Sequence, residues 1–283
     1  MSIKNFKPTT PARRSASVEV LDKALIAVKE PVRSLISIKK KRSGRNASGK
    51  ITVRHRGGGT RRYYRMIDFN REKYDIPAKV ESLQYDPNRS SYIALLIYQD
   101  GERRYIIAPE SIKVNDVIMS SKNKIAIKEG NRMPLEHIPW GHLVHDVELV
   151  PGKGGQVAKA AGASLKLMGI EGNFAQLKMP SSEVRLVSKD CMATIGQVSN
   201  PEHNLVQIGK AGRTRNMGIK PTVRGKVMNP VDHPHGGGEG KHPIGMKFPK
   251  TPWGKVAIGG KTRKRKKYSN RLILQRRKVK RKK

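Results

Sequence analysis

Short runs of apolar residues, several of them alternating with polar positions, fill the middle of the chain. They are rich in Tyr, Ile, Val and Leu, and Gly or Pro separates many of them. Such runs are typical of β-strands, and their close spacing leaves no room for the helices of βαβ units. We therefore predict a mainly β protein with strands within Arg61–Phe69, Ile76–Tyr85, Ser91–Gln99, Glu102–Ala108, Ile112–Met119, His142–Val150, Leu165–Ile170, Phe174–Met179, Val184–Val187 and Ala193–Val198.

Turn residues locate some of the connections. Asp100-Gly101 separates two predicted strands, and Gly tolerates the positive φ of a two-residue type I′ hairpin turn. Asp86-Pro87-Asn88 is a second turn signal. We also expect one or two helical turns within Gln156–Ala163.

The apolar pattern divides the chain into four parts. A basic extension at residues 1–44 precedes one barrel at 45–125 and another at 126–203, and a basic Gly/Pro-rich extension follows at 204–283. OB-like and SH3-like barrels are the natural candidates for binding nucleic acid. Beyond residue 203 the apolar periodicity fades, so this stretch should stay disordered until it is bound.

Charge is concentrated at the two ends of the barrel region. The net charge is +37, and residues 203–283 carry 24 basic side chains but only two acidic ones, Asp232 and Glu239. Residues 31–66 carry 12 basic and no acidic side chains, whereas residues 67–149 carry 11 basic and 13 acidic ones. Because nothing within the chain compensates the two basic flanks, we interpret them as arms that bind a polyanion.

Other features of the composition narrow the class of protein. A single cysteine, Cys191, excludes a disulfide framework and suits a reducing, cytosol-like compartment. No apolar run approaches the ~18 residues of a membrane span, and we see no signal-peptide core. We expect neither a membrane partner nor a small-molecule substrate.

Motifs that would indicate an enzyme are incomplete. Gly44–Lys50 matches the start of a phosphate-binding P-loop, but Ile51 stands where Ser or Thr must ligate Mg²⁺. Cys191 lies in an apolar run and is expected to be a small core residue. Asp232, His233, His235 and His242 suggest metal ligands, but Pro234 constrains the chain between two of them. We expect no metal, no catalytic residue and no cofactor.

Glycine clusters and interleaved cations indicate RNA contacts more directly. The clusters Arg56–Gly59, Pro151–Gly155 and His235–Gly238 combine Gly with basic residues. Because Gly lacks Cβ, such a backbone can press its N–H groups against phosphate or sugar oxygens. Arg61, Arg62 and Arg65 are interleaved with Tyr63 and Tyr64. The arginines can bind phosphate through two hydrogen bonds, and the tyrosines offer stacking surfaces beside them.

The segment VRGKVMNPVDHPHGGGEG at Val223–Gly240 closely resembles the signature of a known family, the second protein of the large ribosomal subunit, bacterial type. The resemblance runs almost the whole length of the chain. It includes KPTTPARR, SGRNASGKITVRHRGGG, YDPNRSSYIALLIYQDGERRYIIAP, VHDVELVPGKGG and KTPWGKVAIGGKTR.

This resemblance implies an OB-like barrel followed by an SH3-like barrel, with irregular basic extensions buried in large-subunit rRNA. It implies primary binding of that rRNA, a role in joining the subunits, and a C-terminal loop near the peptidyl transferase centre. The implied partners are large-subunit rRNA, neighbouring ribosomal proteins and small-subunit rRNA at an intersubunit bridge. Mg²⁺ is expected only as part of the rRNA environment, in a cytoplasmic or an organellar ribosome.

Some positions differ from the family pattern. Lys226 replaces a small or apolar residue, Asn216-Met217 replaces a tryptophan and a basic residue, and Lys159 replaces Arg. IGMKFPK at 244–250 lengthens a loop. The replaced tryptophan puts a stacking contact in doubt, and Lys159 would offer a point charge instead of a fork.

The sequence pattern and the resemblance together give one main hypothesis, a structural rRNA-binding constituent of the large ribosomal subunit, and two alternatives. The alternatives are participation of His233 in peptidyl transfer, a catalytic role proposed for this histidine of the family, and non-specific nucleic-acid binding by charge alone. The candidate rRNA-binding residues are Arg54, Arg56, Gly57, Gly58, Gly59, Arg61, Arg62, Arg71, Lys73, Arg89, Lys153, Lys159, Arg213, Arg215, Arg224, His233, His235, Gly236, Gly237, Gly238, Lys261 and Arg263.

Overall fold

The computed structural model describes residues 3–20, 30–240 and 242–277 of the chain. Parts of both predicted extensions, and Lys241 of the lengthened loop, lie outside the described residues. The chain forms two compact units. The larger unit contains the described residues up to Lys40, Arg61–Lys210 and those from Arg271 on, and the smaller unit contains Lys41–Thr60 and Ala211–Asn270. Residues 45–60, which we expected in the first barrel, therefore belong to the smaller unit.

The regular secondary structure of the described residues consists mainly of short β-strands, which confirms the predicted fold class. Each of the ten predicted runs contains a strand. The two α-helices in this part of the chain are α1 (Pro11–Arg14) and α2 (Ala211–Asn216). The strands are β1 (Ile3–Asn5), β2 (Ser17–Glu19), β3 (Ile36–Ile38), β4 (Tyr63–Arg65), β5 (Ala78–Gln84), β6 (Ile93–Tyr98), β7 (Arg103–Ile107), β8 (Val117–Ile118), β9 (Arg132–Pro134), β10 (Leu143–His145), β11 (Leu165–Glu171), β12 (Phe174–Lys178), β13 (Val184–Ser188), β14 (Met192–Ile195) and β15 (Ile273–Gln275).

The first barrel is built on an antiparallel sheet in the order β7-β6-β5-β8, with β3 and β4 paired separately. Strands β6 and β7 form the predicted hairpin, but its turn is one residue longer than expected. Gly101 has φ +80° and its N–H donates to Tyr98 O, while Tyr98 N–H donates to Glu102 O. This is the three-residue hairpin in which one Gly takes the left-handed position, not a type I′ turn.

Strand β6 is buried on both faces of this sheet, which explains its nearly continuous apolar sequence. Ala94, Leu96 and Tyr98 belong to the main core, whereas Ile93 and Leu95 pack with Tyr105 on the other face. Val32, Leu35 and Ile67 cover that second face. The segment before β3 therefore shields this second face of the sheet from water. A hydrogen bond holds the segment there, since Val32 N–H donates to Tyr105 Oη at 3.1 Å.

The second barrel is a seven-stranded antiparallel sheet in the order β15-β13-β12-β11-β10-β14-β9. Its core includes Val144, Leu167, Leu177 and Ala193. Cys191 is fully buried in the same core, and burial raises the pKa of its thiol to about 12. The prediction of a small core cysteine is confirmed.

Two details of the second barrel differ from expectation. Gln156–Ala163 forms no helix, so that prediction is wrong; Val157 instead bridges to Val147 because the segment pairs along the barrel. Strand β15 comes from the C-terminal stretch that we expected to be irregular, and it pairs with β13. Its short apolar run, Ile273–Gln275, lies among basic residues and gave little pattern to recognise.

A buried ionic network lies within the second barrel. Arg132 is fully buried on β9, and its guanidinium lies 3.2 Å from Asp146 Oδ2 and 3.1 Å from Glu148 Oε1. Glu148 Oε2 also accepts from the N–H groups of Gly152 and Met192. Buried charges persist in a fold only when paired and hydrogen-bonded, so this arrangement fixes how the surrounding segments pack.

The smaller unit is held together mainly through its backbone. Gly57 N–H donates to Gly218 O at 3.0 Å, and Lys220 N–H donates to His55 O at 2.9 Å. Gly59 has φ +81°, and a Cβ there would lie 2.9 Å from Gly218 N. Only glycine allows the two segments to approach this closely.

Candidate nucleic-acid interface

Several predicted contact residues are exposed cations without a side-chain partner among the described residues. They come from both units, from loops, turns and the short helix α2, and their charges face solvent. Such side chains can reach phosphate without breaking an existing ion pair. These exposed cations are Arg54, Arg56, Arg61, Lys153, Arg215, Arg224 and Lys261.

The tyrosine–arginine alternation at β4 forms a second basic surface. Tyr63 is 56% exposed. The ring of Tyr64 lies 5.6 Å from Lys39 Nζ and 5.5 Å from the Arg89 guanidinium. Arg62 donates to Pro87 O at 2.8 Å. Because successive side chains of a strand point to opposite faces, the exposed Tyr63 ring offers a stacking surface on one face of β4, and the cations around Tyr64 lie on the other.

Asp86 positions part of this surface. It is fully buried, pairs with Arg89, and lies 3.8 Å from Arg65. Its Oδ1 also accepts from Asn88 N–H at 2.9 Å, which forms the predicted turn. Because Arg89 is tied to this carboxylate, it offers RNA only the rest of its guanidinium.

Arg71 is used inside the fold. It is 2% exposed, and its guanidinium donates to Gly130 O at 2.7 Å. Burial lowers the pKa of Arg71 to about 10. The side chain thus joins the segment between β4 and β5 of the first barrel to the start of the second, and we leave it out of the proposed interface.

Three more predicted cations have partners within the chain. Lys73 pairs with Asp100 and Glu102 and lies 4.9 Å from the Tyr98 ring. Lys159 donates to Gly155 O at 3.0 Å, and Arg263 donates to Asn270 Oδ1 at 2.7 Å. Arg213 lies on α2 and is half-buried. The fold orients these side chains, so they are poorer candidates than the unpaired cations.

The glycine clusters are partly explained by packing within the protein. A Cβ on Gly154 would lie 2.1 Å from Asn70 Oδ1, and one on Gly155 would lie 1.9 Å from Asp146 Oδ1. Gly58, by contrast, has no neighbouring atom within 4 Å on that side. Of these three, only Gly58 presents an open backbone to a ligand.

The loop around the third glycine cluster folds tightly on itself. His233 is 7% exposed, and its Nδ1 accepts from His235 N–H at 3.0 Å. His235 Nε2 accepts from Lys250 N–H at 2.8 Å. A Cβ on Gly236 would lie 2.3 Å from Asn229 O, and one on Gly237 would lie 2.7 Å from Pro230 Cγ. Both histidines and both glycines therefore maintain the loop, and Gly238 is exposed at its end.

Replacing Gly225 by Ala tests this packing. The new Cβ would lie 2.5 Å from the His233 ring, so we expect the loop to lose about 1–3 kcal/mol of stability, the usual cost of overpacking. Hydrogen exchange of the Lys250 amide, which donates to His235, measures the loss. Gly212→Ala in α2 is the control, since nothing lies within 4 Å of its Cβ position. Equal exchange rates in the two variants would contradict the packing role of His233.

The enzyme motifs do not assemble into a site. Gly44–Lys50 lies in a tight hairpin in which Arg45 bridges to Ile51, without the following helix that a P-loop needs. Within residues 3–20, 30–240 and 242–277, no three His, Cys, Asp or Glu side chains are grouped to hold a metal ion. The helices of this described part are all too short or too polar to cross a bilayer.

Family models match most of the chain. The model described as Ribosomal Proteins L2, RNA binding N-terminal domain, matches residues 32–120. The model described as Ribosomal Proteins L2, C-terminal domain, matches residues 128–254. The chain belongs to the ribosomal protein L2 family. Its two barrels are therefore the OB-like and SH3-like barrels of that family, and the chain is a structural ribosomal constituent that binds rRNA.

Some residues of the interface were absent from our sequence-based list for this L2 family member. Asp86 and Lys39 orient the basic surface at β4, and Arg45 and Lys220 add cations to the smaller unit. In the sequence, Arg45 and Lys220 are two of many cations in long basic stretches, and nothing distinguishes them from their neighbours. Asp86 pairs with Arg89 only three residues away, but its burial follows from the fold.

Proposed function

We propose that the chain is a primary binder of large-subunit rRNA. In this proposal, the unpaired cations of both units contact the phosphates along the RNA backbone. The observation that carries this proposal is the set of exposed cations without internal partners in both units. Three of them, Arg215, Arg224 and Lys261, lie in residues 203–283, where the net charge is +22. Each phosphate contact releases condensed counterions from the RNA. The free energy of binding therefore comes largely from the entropy that the released counterions gain in solution.

Specificity in this proposal comes from shape and unpaired bases. The major groove of double-helical RNA is too deep and narrow for side chains to read. The surface around Tyr63 and Tyr64 offers stacking to bases outside the helix, while Arg61 and Arg62 reach the adjoining backbone. Gly58 allows close backbone approach on its open side.

We extend the proposal to the position of the protein in the ribosome. The chain would support association of the two subunits, contact small-subunit rRNA at a bridge, and brace the RNA around the peptidyl transferase centre together with neighbouring ribosomal proteins. His233 would contribute as a buried loop residue, because its Nδ1 is occupied by the His235 N–H. No observation favours a chemical role for this imidazole.

A salt series tests the electrostatic mechanism. Binding of the full chain to a large-subunit rRNA transcript should weaken steeply with salt, and each contact contributes a log–log slope of about −0.7 to −0.9. Replacing Arg61, Arg215 and Lys261 together by Ala should make the slope shallower by about 2–3.

The control variant replaces Arg103, Arg104 and Lys189 by Ala, which removes the same total charge from cations that pair with carboxylates within the chain. Its slope should change by less than about 1. Equal slopes for the two triple variants would show that net charge alone drives binding. That result would favour the non-specific alternative.

A further inference from the structure

The smaller unit contains a cavity whose chemistry differs from that of a simple basic groove. Its volume is about 600 Å³, within the ~300–1,000 Å³ range of small-ligand sites. Four cations, one carboxylate and one tryptophan line it: Arg45, Arg54, Arg56, Lys220, Asp232 and Trp253. These residues come from four separate segments of the chain, so no single stretch of sequence reveals the site.

The walls of the cavity are set by backbone hydrogen bonds. The hairpin that carries Arg45 is closed by Val53 N–H, which donates to Gly44 O at 3.0 Å. The turn that carries Trp253 is closed by Thr251 N–H, which donates to Lys255 O at 2.7 Å. Asp232 N–H donates to Asn229 O at 3.0 Å. A ligand therefore meets largely preformed walls, which lowers the entropic cost of binding.

Each kind of lining residue selects a different part of a ligand. The cations favour phosphate. Trp253 is 75% exposed and presents an indole face on which a base can stack. Asp232 is exposed and has no ion pair or side-chain hydrogen bond within the described residues. A carboxylate repels phosphate and accepts hydrogen bonds only, so it must face donors on the ligand.

We propose that this cavity binds one unpaired guanine nucleotide of the rRNA. The cations hold its phosphates, its base stacks on Trp253, and Asp232 accepts two hydrogen bonds from its N1–H and N2–H groups. This inference rests on the proposed function and names a particular site within it. Unpaired bases stacked on aromatic side chains and read on their Watson–Crick edge are the usual basis of sequence-specific RNA recognition.

The carboxylate distinguishes guanine from the other bases. Only the Watson–Crick edge of guanine has two adjacent donors. In adenine and cytosine a ring-nitrogen acceptor lies beside the single amino donor, and in uracil two carbonyls flank the one N–H. Each of these three bases would turn an acceptor toward Asp232, and like partial charges would oppose binding. The same site without a carboxylate would stack any base.

Chemical probing of the complex tests the proposal. Kethoxal reacts with N1 and N2 of unpaired guanine, so one guanine should be protected when the full wild-type chain binds a large-subunit rRNA transcript. In Asp232→Asn and in Trp253→Ala, the reactivity of that guanine should rise about tenfold, the scale expected for loss of a bidentate contact. The log–log salt slope should stay within about 1 of the wild-type value, because no phosphate contact is removed.

The chain supplies matched controls for both variants. Glu239→Gln neutralises the one other acidic residue of residues 203–283, and Trp140→Ala removes the second of the two tryptophans. Neither residue lines the cavity. Both variants should leave the guanine protected. In a Trp140→Phe chain, the fluorescence of Trp253 should also be quenched when the transcript binds, which reports stacking without altering the cavity.

Two outcomes would overturn the inference. One is an unchanged guanine pattern in both cavity variants, with normal rRNA binding and salt slope, which would leave the proposed function standing. Another is that the cavity variants change the reactivity of an adenine or a pyrimidine toward base-specific reagents, instead of the reactivity of a guanine. Failure of the wild-type chain to bind the transcript would instead sink the proposed function itself.

Discussion

Replacing Arg132 by Met should destabilise the protein by about 3–5 kcal/mol, the range for breaking a buried ion pair from one side. Met nearly fills the same volume, so the loss is electrostatic rather than a cavity effect. Asp146 Oδ2 would lose its partner Arg132, and Asp146 Oδ1 has none among the described residues. Glu148 would keep the N–H groups of Gly152 and Met192. Urea unfolding followed by circular dichroism measures the loss.

Two further variants separate the possible causes of this loss. Arg132→Met combined with Asp146→Asn and Glu148→Gln should recover a large part of the stability, because no buried carboxylate is left without its cation. Lys189→Met breaks a partly exposed pair with Glu136 and should cost less than about 1 kcal/mol. A loss below that value for Arg132→Met would mean that the network contributes little.

Acid should destabilise the second barrel through His145, by about 3 kcal/mol between neutral pH and about pH 4. Burial lowers the pKa of His145 to about 4 from 6.5, and the adjacent Arg71 and Arg132 act in the same direction. Its Nδ1–H donates to Gly196 O at 2.9 Å, which keeps the neutral ring oriented. The unfolded chain therefore binds a proton in this range before the folded chain does. The stability that His145 contributes is complete above about pH 6.5 and is lost as the pH falls toward 4.

His145→Asn isolates this contribution, since the Asn amide can still donate to Gly196 O but does not titrate. Asp146 acts in the opposite sense at the acid end, because burial raises the pKa of its carboxyl and the folded state takes up that proton first. Comparison of the two chains cancels its effect. If the unfolding free energies of both chains fall equally with acid, His145 is not responsible for the acid sensitivity.

The strands were predictable because their signal is local. The apolar run that ends at Gln99 predicts β6, and the run that begins after Gly101 predicts β7. Gly101 takes the positive φ that we expected of a glycine at this turn. β9 and β15 were not predicted. Each has only three residues, and their neighbours in the sheet, β14 and β13, lie far away in sequence. Short strands of this kind form because a long-range partner completes their hydrogen bonds.

The candidate interface shows the same division. Arg54, Arg56 and Arg71 look alike in sequence, each a basic residue near a turn. The structure exposes the first two and buries the third against Gly130 O. The glycine clusters also divide, because Gly155 accommodates Asp146 whereas Gly58 faces open space. Whether an arginine binds RNA or holds the protein together depends on which acceptors folding brings to it.

By itself, the sequence determined the class of protein and the kind of partner. Strand periodicity depends on neighbouring residues, and the surplus of 59 basic over 22 acidic side chains is a sum that folding does not alter. Tertiary structure alone decided which cations remain unpaired, where Arg132 finds its two carboxylates, and how Asp232 and Trp253 come to line one cavity. Pairing of charges and shaping of cavities act across space at a few ångströms, between residues whose separation along the chain carries no signal.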